Sequence, residues 1–406
     1  MSTLSASSRA PRLVQTFYLW SFARGFCARG WWLATSVYLV LVAHLRPSQL
    51  VLLGTAQALV VLVAEVPAGV FADVVSRKWC IVIAHVVSGS GMILTGLTTS
   101  FPLLVLSQAT WGLGWAFASG ADVAWITDEL DRPDRVDRVL AAQGRWDLLG
   151  NPPGIAAFAL LAWATTLACA IRVSGVAMIV LGVTIVARLP ETRFTPVAAG
   201  RRWRASIGIF RSGLAIARAD RRILVVLAAT FLVNGSSVAF GRLFELRLVA
   251  LGMPARPDPI VSFALLTIAA VLLGAASLRV VERRIDGAGF ARRAYSGSCA
   301  AGVVGMLLFA LGPGLPAAAF GALLASGTVF PVTRTVGAIA VNRRTASTSR
   351  ATVHSLLSQA EHVGEIACGL LLAVLAVSSS TTAAMIGSAV LLAGAGVLVA
   401  RTRPEL

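Results

Sequence analysis

The sequence predicts an all-α polytopic membrane protein, with twelve transmembrane helices in two pseudo-symmetric six-helix bundles. Three observations carry this. Of 406 residues, 57% are hydrophobic and only 13% charged, with mean hydropathy +0.81; a soluble domain is near half apolar and about a quarter charged. Twelve apolar runs are each long enough for a helix to cross the hydrocarbon, which takes about 20 residues. The cations fall almost wholly on alternate connections.

The first span, 13–43, follows the polar stretch MSTLSASSRAPR. It is too long for a signal-peptide core and lacks a small-residue cleavage site, so no removed signal is expected. Spans 48–71 and 79–98 flank the charged stretch EVPAGVFADVVSRK, and spans 102–128, 139–164 and 166–187 complete a first half, 1–188. The connection 189–222 is a basic linker. Within it Trp203, Ile207, Phe210 and Leu214 recur at helical spacing among arginines, which fits a helix lying on the inner leaflet. A solvated basic linker is the alternative. Spans 223–250, 259–280, 294–312, 315–340, 351–377 and 381–400 make the second half, 223–406.

With a cytoplasmic N-terminus, the inside segments hold 26 Lys or Arg and the outside turns hold three, Arg46, Arg172 and Arg256. Both termini are therefore expected in the cytoplasm of a multi-pass cell-membrane protein. Net charge +17 alone would suggest nucleic acid, but such binders carry basic patches on a polar fold, so no nucleic-acid partner is expected. The five cysteines stand singly, no CxxC occurs and the four histidines make no metal spacing, so no metal site is expected. Serine-nucleophile and Walker signatures are missing as well, which argues against a membrane enzyme, an ATP-driven pump or a bound cofactor.

Charged groups inside spans are costly in lipid and face a cavity or a partner. Here they are Arg24 and Arg29, Glu65, Asp122, Arg145 and Asp147 in the first half. The second half has Arg242, Glu245, Arg247, Arg334, Glu361 and Glu365. Spans 3, 6, 9 and 12 carry no interior acid. A six-plus-six chain with a polar interior and every third helix lipid-like is a transporter architecture. Asp122 lies at a depth where Arg145 could pair with it. Arg24 and Arg29, five residues and about 140° apart, cannot share a face, and with Arg145 they are candidates to line a substrate cavity. Trp111 and Trp115, one turn apart, could form an aromatic cavity wall; ordinary helix packing is the alternative.

The stretch Gly69-x-x-x-Asp73-x-x-Ser76-Arg77-Lys78 resembles the signature loop of the major facilitator superfamily, G-x-x-x-D-[RK]-x-G-R-[RK], departing at Val74 and Ser76. Glu65-Val66-Pro67 with Ala68-Gly69 is similar to the E-[IVL]-P-x-G opening of drug-exporter-like members. LRVVERRIDGAG carries a worn second copy of the loop around Glu282, Arg283 and Arg284. Leu189-Pro190-Glu191-Thr192 resembles the family's ending of span 6. SQATWGLGWAFASG resembles its second motif, with Gln108 where many members have Arg. Gly150-Asn151-Pro152-Pro153-Gly154 is loosely similar to the Gly/Pro motif of antiporter-type members, and a structural kink explains it nearly as well.

The resemblance implies alternating access with a latch at the inner end of span 2. Asp73 can face the positive N-terminus of a helix in the other half, and Arg77 can pair with Asp128 or Glu129. Gly69 would let helices approach closely, and Lys78 completes the motif. The function implied is a monomeric secondary transporter exporting an amphipathic small molecule against protons, with the proton gradient as energy source. Uptake or exchange of a small, anionic metabolite is the runner-up, and a non-transporting sensor or scaffold is the second alternative.

The sharpest candidate for proton coupling is span 11. His354, Ser358, Glu361 and Glu365 fall at i, i+4, i+7 and i+11, on one helical stripe. Two carboxylates one turn apart in a poorly solvated place cannot both ionise cheaply, which suits a proton carrier. Asp122 and Asp147 are further proton-coupling candidates. The alternative is that the span-11 acids are salt-bridged to Arg24 or Arg29 and serve assembly.

Overall fold

In lipid every backbone N–H and C=O needs a partner within its own segment, so apolar runs of this length become helices. The computed structural model describes residues 3–130, 133–196, 198, 208, 215, 218–254, 258–284, 289–344 and 347–402. These form α1 (Thr3–Leu41), α2 (Pro47–Val74), α3 (Arg77–Thr95), α4 (Phe101–Ala118), α5 (Ala121–Leu130), α6 (Pro133–Ala164) and α7 (Leu167–Arg188). They continue as α8 (Arg221–Ala250), α9 (Pro259–Arg284), α10 (Phe290–Leu311), α11 (Leu315–Leu324), α12 (Phe330–Arg344), α13 (Ser347–Ser378) and α14 (Thr381–Ala400). No strand occurs among the described residues. The interfacial helix expected around Trp203–Leu214 lies outside them.

Polar residues start several helices by accepting an otherwise orphaned N–H. Ser76 accepts from Trp79, Thr166 from Cys169, Asp220 from Arg222 and Ser380 from Ala383. The span expected at 102–128 is not continuous. It breaks at Ser119–Gly120 because Gly120 sits at φ +78°, which ends α4 and lets α5 begin in a new direction. The tenth span likewise carries one π-helical turn, Ala325–Val329, between α11 and α12.

Among the described residues, nine helices are long and apolar enough to cross a membrane. Twelve spans were expected. The three without that simple signature are α1, α4 with α5, and α6, and they hold Arg24, Asp122 and Asp147. Their charges and the Gly120 break dilute the apolar signal.

The chain forms two compact units, Met1–Ala43 with Val60–Arg204, and His44–Leu59 with Ala205–Leu406. Each repeats one packing scheme. In the first, α1 lies along α6 and α7, while α3 lies along α7 and α4. In the second, α8 lies along α13 and α14, while α10 lies along α14 and α11. The core of the first unit gathers Phe17, Trp20, Ile81, Trp125, Ile126 and Ile185, all under 5% exposed.

Candidate functional site

In the first unit, three charges far apart in sequence meet. Gly150 and Gly154 bring α6 so close to α1 that a Cβ on either would strike the carbonyl oxygen of Phe22 or Phe26. The Gly150–Gly154 stretch thus acts as a helix-packing node, and α6 continues through Pro152 and Pro153 without a break. This close approach places Arg24 of α1 against Asp147 of α6 at 3.2 Å and Asp122 of α5 at 3.1 Å. Gln143 also donates to Asp122, at 3.0 Å. Asp122 therefore pairs with Arg24 and not with Arg145, which is exposed on α6. The Arg24 guanidinium also lies 4.8 Å over the Trp20 ring, a cation–π contact.

Trp20 leads to a group the sequence reading did not single out. Its indole N–H donates to His85 Nε2 at 3.1 Å, and His85 Nδ1 lies 2.7 Å from the Ile81 carbonyl oxygen. An indole can only donate and a carbonyl can only accept, so Nδ1 carries the single ring proton and the imidazole is neutral. A lone histidine in an otherwise apolar span was the signal available for it.

Indoles continue the same face of α1. Trp31 lies seven residues beyond Arg24, back at nearly the same angle around the helix. It stacks on Trp111 with centroids 5.1 Å apart, and Trp111 stacks on Trp115 at 5.7 Å, both pairs tilted by 22°. Trp32 packs against Trp31 and Trp111, each at 5.9 Å. Trp31 is fully buried, whereas Trp115 is 48% exposed at the other end of the stack. Trp111 and Trp115 stack on one another, with Trp31 and Trp32 as further members of the cluster that helical spacing within α4 could not reveal.

The loop between α2 and α3 is held by paired charges. Arg77 contacts Asp128 of α5, donates to the Ala124 carbonyl at 2.9 Å, and reaches Asp73 at 3.4 Å. Ser76, where the motif has glycine, is extended at φ −177°, so it requires none; its hydroxyl caps α3 and donates to Glu191. Glu191 also accepts the Lys78 backbone N–H at 2.9 Å, while Lys78 Nζ donates to the Val186 carbonyl at 2.7 Å. Glu129 takes another partner, accepting the N–H groups of Thr192 and Arg193. Leu189–Thr192 is thus fastened to the start of α3 and the end of α5. Gly69 does not serve close helix approach: a Cβ there meets nothing within 4 Å among the described residues.

In the second unit, the span-11 stripe lies on α13. His354 is 2.7 Å from Asn342, Glu361 is 4.0 Å from Arg334, and Glu365 is 3.5 Å from His362. Arg334 and His362 belong, like both acids, to the second unit, while Arg24 is engaged by Asp122 and Asp147. Arg242 of α8 donates to Gln57 at 2.8 Å. Gly364 of α13 meets the Phe231 carbonyl as Gly154 meets that of Phe26, and one turn on Gly235 meets Cys368 and the Gly364 carbonyl as Gly30 meets Phe158 and the Gly154 carbonyl. In that register Glu361 stands where the first unit has Asn151. The two units share a packing node, and the second carries a carboxylate where the first carries an amide.

Among the described residues no group of His, Cys, Asp and Glu is arranged to hold a metal.

Similar architecture is found in solved transporter structures. The nucleoside transporter NupG superposes with TM-score 0.72 at 14% identity, covering 96% of this chain and 97% of that one. A POT family transporter in complex with a thioalcohol-conjugated peptide gives 0.73 at 10%, covering 95% of each. A bacterial homolog of the human lysosomal transporter Spinster, inward-facing and occupied, gives 0.71 at 13%, covering 98% and 97%. The chain has the major facilitator fold. No family model and no curated protein matches it. At these identities the major facilitator likeness establishes the fold of a multi-pass membrane protein and leaves substrate and direction to be argued from the residues.

Proposed function

We propose that the protein is a secondary active transporter of the cell membrane, with both termini cytoplasmic. It exports an amphipathic small molecule in exchange for protons by alternating access, needs no cofactor and acts as a monomer. The solved transporters of like fold, for nucleosides and peptides among others, support transport over catalysis.

The observation that carries the coupling is the line of ionisable groups on α13. Glu361 and Glu365 lie one turn apart, with Arg334 4.0 Å from the first and His362 3.5 Å from the second. Two carboxylates one turn apart in a poorly solvated place cannot both ionise cheaply, and His362 beside them gives a proton a short path along α13. Asp122 and Asp147, with one guanidinium between two carboxylates, hold one negative charge in excess, which suits a cationic substrate or a proton in turn. Asp73, Arg77, Asp128 and Lys78 would hold and release the latch between states.

Reconstitution into proteoliposomes tests this. Glu361→Gln and Glu365→Gln should each abolish substrate movement driven by a pH gradient while substrate binding persists. If both variants move substrate uphill with unchanged pH dependence, the protons travel elsewhere. Uptake of an anionic metabolite is the competing reading, and it rests on Arg334; flux in the opposite direction, lost in Arg334→Gln, would favour it.

A further inference from the structure

In the second unit α10 and α14 lie along each other, and their register is fixed at one end. Arg292, at the start of α10, gives one nitrogen, Nη1, to the carbonyl oxygens of Ala400 at 3.3 Å and Thr402 at 3.1 Å, where α14 ends. Deeper along the seam, a Cβ on Gly396 of α14 would lie 3.0 Å from the Cβ of Cys299 on α10. The two helices are therefore antiparallel. The residues that follow Arg292 and Ala400 in sequence, Arg293 and Arg401, stand at one level.

They also stand on one side. Arg293, Gly297, Ala300, Val304, Leu307 and Leu311 recur at helical spacing on α10, and all are exposed. On α14 the matching exposed stripe is Val390, Val397 and Arg401. In each helix this stripe lies one residue, about 100°, beyond the residues that touch the other helix. Those are Arg292 and Cys299 on α10, and Gly396 and Ala400 on α14. Seen from one end, antiparallel helices wind in opposite senses, so the two stripes swing to the same side of the seam.

This joint face says what covers it. From Arg293 to Leu311 it is about 27 Å long, close to the thickness of the hydrocarbon. It is apolar along that length and cationic at one end only. A Cβ on Gly297 would meet nothing within 4 Å among the described residues, so an acyl chain can lie against the backbone there. The positive-inside rule accounts for Arg293 and Arg401 as single charges. It does not call for them to be level with each other on the side that faces lipid.

We propose that the seam of α10 and α14 is a binding site for an anionic phospholipid of the inner leaflet. The phosphate lies between Arg293 and Arg401, whose planar forks match phosphate oxygens. One acyl chain runs past Gly297 and Ala300, the other past Val397. The bonds from Arg292 to the end of α14 hold the two helix ends, and with them the two cations, at a fixed separation. The site owes nothing to substrate or coupling; it uses only the orientation read for the chain, which decides the leaflet.

A label placed in the face tests this in the full-length protein, in nanodiscs of phosphatidylcholine. Gly297→Cys carries a bimane fluorophore in a Cys169→Ser background, the other four cysteines being buried. Dibrominated phosphatidylglycerol, added as a minor fraction, should quench the label at least about threefold more than dibrominated phosphatidylcholine, given the attraction of each cation for anionic lipid. Arg293→Gln with Arg401→Gln should make the two lipids quench alike. Arg283→Gln with Arg284→Gln, exposed cations at the end of α9, should keep the preference. A label at Leu311→Cys, at the far end of the same stripe, should see none. Equal quenching by both lipids at position 297, a preference that survives loss of Arg293 and Arg401, its loss in the α9 variant, or the same preference at position 311 would each overturn the proposal. The readout is lipid contact, so its failure leaves the proton-flux test of the span-11 acids standing.

Discussion

Replacing Arg24 by Met tests whether the three-charge cluster is a structural keystone of the first unit. The guanidinium contacts Asp122 at 3.1 Å and Asp147 at 3.2 Å, with side-chain exposures of 24% for Arg24, 9% for Asp122 and 33% for Asp147. Removing one member of a buried ion pair costs about 3–5 kcal/mol, because the partner is left charged in a poor solvent. Asp147 is a third exposed, so solvent screening reduces this, and a loss of about 2–3 kcal/mol is expected. For a unit near 200 residues, 1 kcal/mol moves Tm by about 2–4 °C, so Arg24→Met should lower it by about 5–10 °C. The assay is thermal unfolding of the detergent-solubilised protein followed by tryptophan emission. The triple variant Arg24→Met, Asp122→Asn, Asp147→Asn removes all three charges and leaves none unpaired. It should recover more than half of the loss, the rest reflecting the cation lost from the Trp20 ring. A single variant within 1 °C of the unaltered protein, or a triple variant worse than the single, would refute the reasoning.

Asp73→Asn and Arg77→Ala should leave membrane expression near normal and reduce transport strongly; normal transport in both would reduce the loop to a topological signal. Gly154→Ala, whose methyl strikes the Phe26 carbonyl, should destabilise by about 1–3 kcal/mol through overpacking. Gly69→Ala, whose methyl meets nothing within 4 Å, should leave Tm unchanged, and the reverse order would invalidate the packing account. Compartment-sensitive tags at 195–200 and at the C-terminus should report cytoplasm and one at 254–258 the outside; an outside result for either of the first two would overturn the orientation.

Most of the fold was legible because lipid imposes a coarse rule, a long apolar run or no span. What the rule misread follows from local chemistry. Nothing in the hydropathy of 102–128 marks the break at Gly120, since glycine is tolerated in membrane helices and its positive φ is a property of the folded chain. The signature loop was legible in part. Arg77 and Asp128 come together as their types and places suggested, and Asp73, expected to face a helix of the other half, reaches Arg77 one turn on; Ser76, read as a departure, takes an extended backbone and becomes both helix cap and donor to Glu191.

The site itself was legible as a set of residue types and illegible as a set of pairs. A buried charge announces itself anywhere in an apolar span, so Arg24, Asp122 and Asp147 were recognisable one by one. Pairing depends on rotation and approach, and these are set here by residues with no charge. Gly150 and Gly154 fix how near α6 comes to α1, and that distance decides that Asp147 meets Arg24 while Arg145 stays outside the cluster. The same dependence explains the indoles. Trp111 and Trp115 are one turn apart on one helix and visible as a pair, but Trp31 joins them from α1 across 80 residues, on the stripe that carries Arg24. Charge and aromatic stack therefore share one face of α1, the seven-residue step from Arg24 to Trp31 returning to it. On α8 the matching close approach is Phe231 with Gly364, which repeats Phe26 with Gly154. In that register the place of Glu361 is taken in the first unit by Asn151. A duplicated helix pair that keeps the packing while one copy carries a carboxylate where the other carries an amide has added a titratable group to a shared scaffold, and this difference between the halves makes Glu361 the first acid to test for carrying a proton.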